Sequence, residues 1–139
     1  MIRITKRLAL LSFLLIPWLV TPRVSDSWAI CAAAYENILV DQFSVMLQQK
    51  DFVLINVHTP YQGEIPQTDL LIPYNKIESR QNELPADKHA KIVVYCLTGP
   101  MGYAAAQTLS ELGYTRVIHF NGGMQAWAEQ GNRLLHRGK

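Results

Sequence analysis

Short apolar runs, separated by polar turns, dominate the chain from residue 35 onward. The runs at 52–57 and 92–96 are nearly continuous in apolar residues, which is typical of strands buried on both faces. A third strand is predicted at 116–120. The run at 70–72 predicts a further short strand or extended piece before a proline. Together these runs predict a sheet whose strands form the centre of the fold.

Helical patterns lie between the apolar runs. Asp41 is expected to cap a first helix whose inner face holds Phe43, Met46 and Leu47. Further helices are predicted at 76–82, at 103–112 with Gly113 at its end, and from Gly122-Gly123 to Gly131, with Trp127 on the inner face. Strands that alternate with helices predict an α/β fold with a mainly parallel central sheet. The segment after this pattern, residues 132–139, is expected to be a frayed tail.

Composition narrows the class of protein without naming a function. The chain has 139 residues, 49% of them hydrophobic and 17% charged, which fits one globular domain and excludes a disordered chain. Two cysteines cannot form a disulfide scaffold. The formal net charge of +2 is too small to favour nucleic acid as a partner.

The positive charge belongs to the N-terminal segment. Residues 1–29 hold four basic residues and one acidic residue, which leaves residues 30–139 with a net charge of −1. A basic start followed by the apolar run at 8–20 is the order found in a secretory signal peptide. A helix of that run is about 20 Å long, shorter than the roughly 30 Å hydrocarbon core of a bilayer. The segment therefore predicts export to the periplasm or to the outer face of the membrane.

Two alternatives to a cleaved leader stay open. The segment could remain as an uncleaved N-terminal anchor that contacts the membrane through residues 8–20. Lipidation at Cys31 is disfavoured because Ile30 precedes it, where a small residue is expected. All three interpretations put the domain at 35–131 outside the cytoplasm.

The stretch from Cys96 to Met101 has the strongest chemical pattern in the chain. It lies between a predicted buried strand and a predicted helix, and the carboxyl ends of parallel strands are where ligands bind. The positive end of the following helix favours a thiolate, and therefore a nucleophile. An inert buried cysteine is the alternative, and local pattern alone does not decide between the two.

Several motifs in one order resemble the rhodanese-like domain family. The resemblance covers residues 38–131, and its pieces are Leu54-Ile55-Asn56-Val57-His58, Gly63-Glu64-Ile65-Pro66, Ile72-Pro73, the strand and loop at 92–101, Ala104-Ala105-Ala106, Leu112-Gly113-Tyr114 and Gly122-Gly123-Met124-Gln125-Ala126-Trp127. It implies a three-layer α/β fold, with helices on both faces of the sheet. It also implies sulfur transfer, in which Cys96 takes a sulfane sulfur from a donor, holds it as a persulfide and passes it to a thiophilic acceptor. The loop that would bind the anion is Leu97, Thr98, Gly99, Pro100, Met101 and Gly102.

Departures from the family pattern leave a second function open. The loop has no Arg or Lys, Asn56 replaces the usual Asp, His58 replaces the usual Arg, and Glu64 stands where His is common. These changes favour a persulfide carrier with an unusual donor, or a catalytically inactive binding module in the cell envelope, over rapid turnover of thiosulfate. A phosphatase of this family would need an arginine at position 102, which is glycine here.

The remaining polar residues support few further assignments. His58 is expected at the rim of the loop, where it could orient a donor or take a proton, or simply be a polar turn residue. The histidines do not have metal-ligand spacing, so neither a metal nor another cofactor is predicted. The expected partners are small sulfur donors and thiol acceptors. A redox pair of Cys31 and Cys96 is a weaker alternative.

Overall fold

A computed structural model describes residues 35–137. In this range five strands form one sheet in the order β1-β5-β4-β2-β3, and all neighbouring strands are parallel. The strands are β1 (Glu36–Ile38), β2 (Val53–Asn56), β3 (Leu70–Leu71), β4 (Ile92–Tyr95) and β5 (Val117–Phe120). The central strands are therefore β5, β4 and β2, as the apolar runs predict.

Helices cover both faces of this sheet. They are α1 (Val40–Gln48), α2 (Pro100–Glu111) and α3 (Gly123–Glu129). One buried cluster joins the sheet to α2 through Ile55, Val94, Ala105 and Leu109. A second cluster, on the opposite face, joins the sheet to α1 and α3 through Phe43, Leu54, Tyr95, Phe120 and Trp127. The three-layer α/β fold is confirmed, and Trp127 lies in the core as expected.

The first helix is capped differently from the prediction. Helix α1 begins at Val40 with Leu39 as its N-cap, and the Leu39 N–H donates to Gln42 Oε1 over 3.1 Å. Asp41 is therefore not the cap but lies in the first turn, where its carboxylate accepts a hydrogen bond from Gln130. The Gln42 side chain therefore binds the N–H of the capping residue itself, whereas Asp41 is the second residue of the helix.

The predicted helix at 76–82 is wrong. Two short 3₁₀ turns, Tyr74–Lys76 and Gln81–Glu83, take its place. This segment buries only Ile77 and Leu84 against the sheet. Two isolated apolar anchors do not form the continuous apolar stripe that supports a helix.

Helix α2 begins three residues earlier than predicted. Pro100 is its first residue, a position where the missing N–H of proline costs no hydrogen bond. Met101 and Gly102 therefore belong to the first turn of the helix rather than to a free loop. Strand β1 was not predicted, because a three-residue strand with one buried side chain, Ile38, leaves no recognisable pattern.

The C-terminal segment is attached to the domain, so the expectation of a frayed tail is wrong for its described part. Leu135 and Glu64 exchange backbone hydrogen bonds of 2.8 Å in an antiparallel bridge. The indole N–H of Trp127 donates to the Arg133 carbonyl over 3.1 Å. We call residues 133–137 the C-terminal strap.

The predicted leader, with its alternatives as an anchor or a lipidated segment at Cys31, lies outside the described residues. No helix within residues 35–137 is long and apolar enough to span a membrane.

Candidate functional site

Cys96 lies at the point where β4 ends and the turn into α2 begins. Val94 and Cys96 both belong to the core cluster beneath α2, and Cys96 is only 2% exposed. Neighbouring strand β2 ends level with it, because the Val57 N–H donates to the Tyr95 carbonyl over 2.9 Å. The thiol is therefore fixed at the carboxyl edge of the sheet, where parallel α/β folds bind ligands.

One backbone N–H of the loop is directed at the sulfur. The Gly99 N–H donates a hydrogen bond to Cys96 Sγ over 3.0 Å. Gly99 also caps α2, and its carbonyl accepts the Tyr103 N–H over 2.9 Å. Because the first turn of a helix has N–H groups without intrahelical acceptors, the sulfur faces the positive end of α2. A thiolate or another anion at this position would be stabilised by these groups.

Helix α3 holds the other side of the loop. The Met124 N–H donates to the Cys96 carbonyl and the Gln125 N–H to the Leu97 carbonyl, both over 2.9 Å, and the Gly122 N–H donates to the Thr98 carbonyl over 3.2 Å. A Cβ on Gly123 would lie 2.1 Å from the Cys96 carbonyl oxygen. Only glycine fits at this close approach, which explains the second residue of the Gly-Gly pair.

The side chains of the predicted loop separate into two groups. Leu97 packs into the cluster beneath α1 and α3, and Met101 packs into the cluster beneath α2. Thr98 and Pro100 are exposed, whereas Gly99 and Gly102 are buried. Of the residues predicted to bind an anion, Gly99 directs its backbone N–H at Cys96 Sγ, while the two long apolar side chains anchor the loop in the cores.

Gly102 has no room for a side chain. A Cβ on this residue would lie 2.7 Å from the imidazole ring of His119. The backbone at this position therefore excludes an arginine as well as any smaller side chain unless the ring moves. This contact gives a structural reason, independent of sequence pattern, against a phosphate-gripping arginine at position 102.

His58 lies just beyond the carboxyl end of β2 and is half-buried. Both ring nitrogens are buried and have no hydrogen-bond partner among residues 35–137. The ring lines a cavity of about 270 Å³, which is also bordered by Asn56, Thr59, Tyr61, Leu71, Ile72, Pro73 and Arg80. Cys96 does not line this cavity, so His58 lies beside the loop rather than in it.

Asn56 and Glu64, which depart from the family pattern, each have hydrogen-bond partners in the structure. The Asn56 amide donates to the Gly63 carbonyl over 2.9 Å, and its oxygen accepts the His58 N–H over 2.9 Å. Both carboxylate oxygens of Glu64 lie 3.0 Å from Arg137 Nε. Glu64 therefore pairs with the C-terminal strap, a contact that no sequence signal indicates because the partners are 73 residues apart.

Other features of the described residues do not enter this site. A cavity of about 430 Å³ lies at the opposite edge of the sheet and is lined by Tyr35, Lys91, Arg116 and their neighbours. At one side of it, burial beside Tyr103 raises the pKa of Tyr35 to about 12. Within residues 35–137, no cluster of three or more His, Cys, Asp or Glu side chains is arranged to hold a metal ion.

The chain matches the model of one protein family over most of its described length. The rhodanese-like domain model matches residues 39–130, which include the whole loop and every helix of the domain. The chain therefore belongs to the rhodanese-like domain family, as the motifs predict.

Relatives named as sulfurtransferases support sulfur transfer as the general activity. A sulfurtransferase of Allochromatium vinosum is 38% identical over 85 residues, which is 59% of this chain and 77% of that protein. Thiosulfate sulfurtransferase PspE of Escherichia coli is 36% identical over 70 residues, which is 49% of this chain and 67% of that protein. These relatives support a rhodanese-like sulfurtransferase.

Solved structures support the fold independently. The human single-domain sulfurtransferase TSTD1 superposes with a TM-score of 0.61 at 24% identity, covering 68% of this chain and 96% of that one. At this identity the likeness establishes the α/β architecture alone.

Proposed function

We propose that this chain is a sulfurtransferase that carries a sulfane sulfur on Cys96 as a persulfide. The observation that carries the proposal is the Gly99 N–H, 3.0 Å from Cys96 Sγ, in a loop at the positive end of α2. Both the thiolate and the persulfide are anions at that position, so the same backbone groups stabilise the nucleophile and the intermediate.

The reaction consists of two displacements. First, the Cys96 thiolate attacks the outer sulfur of a donor such as thiosulfate. The donor's S–S bond breaks, and its electron pair leaves with the remaining fragment, which is sulfite when thiosulfate is the donor. A thiophilic acceptor, such as a thiolate or cyanide, then attacks the outer sulfur of the persulfide. The bond to Cys96 breaks, and its electron pair returns to Cys96 as thiolate.

The loop also restricts which donors react quickly. Its exposed residues, Thr98 and Pro100, carry no charge, so a dianionic donor gains only backbone contacts and the helix end. We therefore propose persulfides or polysulfides as donors of equal or greater importance than thiosulfate, and small thiols as acceptors. His58 is the proposed rim residue on the side of β2.

Turnover with different donors tests this proposal. Purified protein would be given thiosulfate or inorganic polysulfide with cyanide as the acceptor, and thiocyanate would be measured. We expect turnover that Cys96→Ser abolishes with every donor. A Cys96→Ser variant with wild-type turnover would overturn the mechanism.

A second candidate function is a rhodanese-like binding module without catalysis, and the uncharged loop favours it. If folded wild-type protein forms no thiocyanate with either donor, the binding module is the better account. A partner in the cell envelope would then be the expected ligand.

The location of the protein is also a proposal. The basic start and the apolar run at 8–20 support export to the periplasm or the outer face of the membrane, with residues 1–29 as the leader or anchor. N-terminal sequencing of the protein from its native host would test this directly. A mature protein that begins beyond residue 29 supports cleavage, an intact N-terminus in the membrane fraction supports the anchor, and an intact N-terminus in the cytoplasm contradicts export.

A further inference from the structure

His119 lies beneath the Cys96 loop, between the sheet and the first turn of α2. The residue is only 3% exposed although its ring is polar. It is the register partner of Val94 on β4, two residues before Cys96. The ring therefore lies one strand away from the strand that presents the nucleophile.

Asn37 orients the ring of His119. These residues face each other across β1 and β5, and His119 Nδ1 lies 2.8 Å from Asn37 Oδ1. With the Asn37 amide oxygen as the acceptor, Nδ1 is the donor of this hydrogen bond. Nε2 is buried and has no hydrogen-bond partner among the described residues. Burial lowers the pKa of His119 and so favours the neutral ring, whereas the neighbouring Gly99 backbone raises the pKa.

Gly102 connects this ring to the loop. A Cβ on Gly102 would lie 2.7 Å from both Cδ2 and Nε2 of His119 and 3.6 Å from the backbone nitrogen of Cys96. The first turn of α2 therefore rests on the imidazole, next to the backbone of the nucleophile. Gly99, the cap of this turn, is the residue whose N–H donates to Cys96 Sγ.

We propose that His119 is a positioning residue of this sulfurtransferase, whose ring, oriented by Asn37, supports the first turn of α2 and so holds the Gly99 N–H on Cys96 Sγ. The predicted effect of His119 on sulfur transfer rests on the proposed function, whereas its predicted effect on ionisation of the Cys96 thiol does not. Without the ring, the turn can move toward the sheet and the hydrogen bond to sulfur lengthens. A weaker hydrogen bond stabilises the thiolate less.

The test is the ultraviolet absorbance of the Cys96 thiolate during a pH titration. Absorbance of the Cys96→Ser variant is subtracted to remove the tyrosines. We expect His119→Ala to lower the thiolate fraction throughout the transition, corresponding to roughly a threefold decrease in the ionisation constant of the thiol. His119→Asn keeps a donor for Asn37 but lacks the outer edge of the ring, so it should reduce the fraction as well. His89→Ala, at an exposed histidine, is the matched control and should leave the titration unchanged.

A double-mutant cycle separates positioning from general damage to the fold. Gly102→Ala alone forces a methyl group against the ring, whereas His119→Ala removes the ring that it meets. We expect the double variant to titrate closer to the wild type than the sum of the single changes predicts. Additive changes, or a folded His119→Ala or His119→Asn variant with the wild-type titration, would overturn the proposal. If His119→Ala does not fold, the His119→Asn titration decides.

This outcome is distinguishable from failure of the proposed function. The thiolate titration needs no sulfur donor. If Gly102→Ala and His119→Ala have non-additive effects on the thiolate titration of a protein that never accepts sulfur, His119 is still the residue that positions the loop. The same result would reject sulfur transfer as the function.

Discussion

The backbone N–H of Gly99 donates a hydrogen bond to the sulfur of Cys96 over 3.0 Å. This contact exists because α2 begins immediately after the loop, with Gly99 at φ +146° as its cap. A Cβ at Gly99 would lie 2.9 Å from the Asn121 side chain, so both the backbone conformation and the space require glycine. The thiol is thereby held at the positive end of a helix without any charged side chain in the loop.

Substitution of Gly123 should displace the loop. In Gly123→Ala the new Cβ would meet the Cys96 carbonyl oxygen at 2.1 Å, and we expect a loss of about 1–3 kcal/mol in the free energy of unfolding. The rate of sulfur transfer should fall by more than the loss of folded protein explains, because the clash is with the backbone of Cys96. Chemical denaturation and turnover measure the two effects.

Gly131→Ala is the matched control for this prediction. Gly131 also has a positive φ, +78°, but a Cβ there meets nothing within 4 Å. It should cost about 1 kcal/mol of stability and leave turnover intact. Equal turnover of the folded Gly123→Ala and Gly131→Ala variants would contradict the prediction that the close approach of α3 to the Cys96 carbonyl holds the loop in place.

The C-terminal strap should contribute to stability through Glu64. The carboxylate is 9% exposed, whereas the Arg137 side chain is 54% exposed, and hydrogen bonding to the carboxylate raises the pKa of the arginine. Arg137→Ala leaves a largely buried carboxylate without its partner, so we expect a lower midpoint of denaturation at neutral pH.

A second substitution checks that the two side chains act together. In a Glu64→Gln background, Arg137→Ala should have a smaller effect, because no buried charge is left unpaired. Lys76→Ala, at an exposed lysine outside the strap, is the cation control and should leave the midpoint close to that of the wild type. If Arg137→Ala shifts the midpoint equally in both backgrounds, the pairing does not stabilise the fold.

Stability should depend on pH through His119. Burial lowers the pKa of this residue below its ordinary value of 6.5. As the pH falls below about 6.5, the unfolded chain binds a proton that the folded chain does not, so the free energy of unfolding decreases until the lowered pKa of the folded state is reached. Urea denaturation at several pH values should show this slope in the wild type and a flatter slope in His119→Asn. Identical slopes would contradict the prediction.

His58 should show a conflict between stability and function. Its two ring nitrogens are buried without a partner among the described residues, and burying an unpaired polar group costs about 1–3 kcal/mol. His58→Leu should therefore raise the free energy of unfolding by about 1 kcal/mol, while sulfur transfer to a thiol acceptor decreases. A destabilised His58→Leu variant with full turnover would exclude a role at the rim.

Much of the fold could be predicted because buried parallel strands have a strong apolar signal. The runs that contain β2 and β4 are apolar because both faces of the sheet are covered. The three-residue strand β1 and the 3₁₀ turns after β3 have no comparable period. The strap was missed for a different reason, since its attachment depends on one ion pair and one bridge to a distant segment.

The candidate site was predictable to a smaller extent. The position between a strand and a helix makes Cys96 a candidate without deciding between a nucleophile and an inert cysteine, and the motif order indicates which residues form the loop. His119 looked like an ordinary strand residue, because its importance depends on the glycine above it and the asparagine beside it. Contacts of this kind join three elements and are visible only after the chain has folded.

Intact-mass measurement of the persulfide tests the central claim most directly. The purified wild-type protein would be incubated with thiosulfate or with polysulfide, freed of donor, weighed, and weighed again after treatment with cyanide. We predict a gain of one sulfur atom that cyanide removes, and no gain in Cys96→Ser. A wild-type protein that gains no sulfur from either donor, or a Cys96→Ser variant that gains the same cyanide-labile sulfur, would contradict the account.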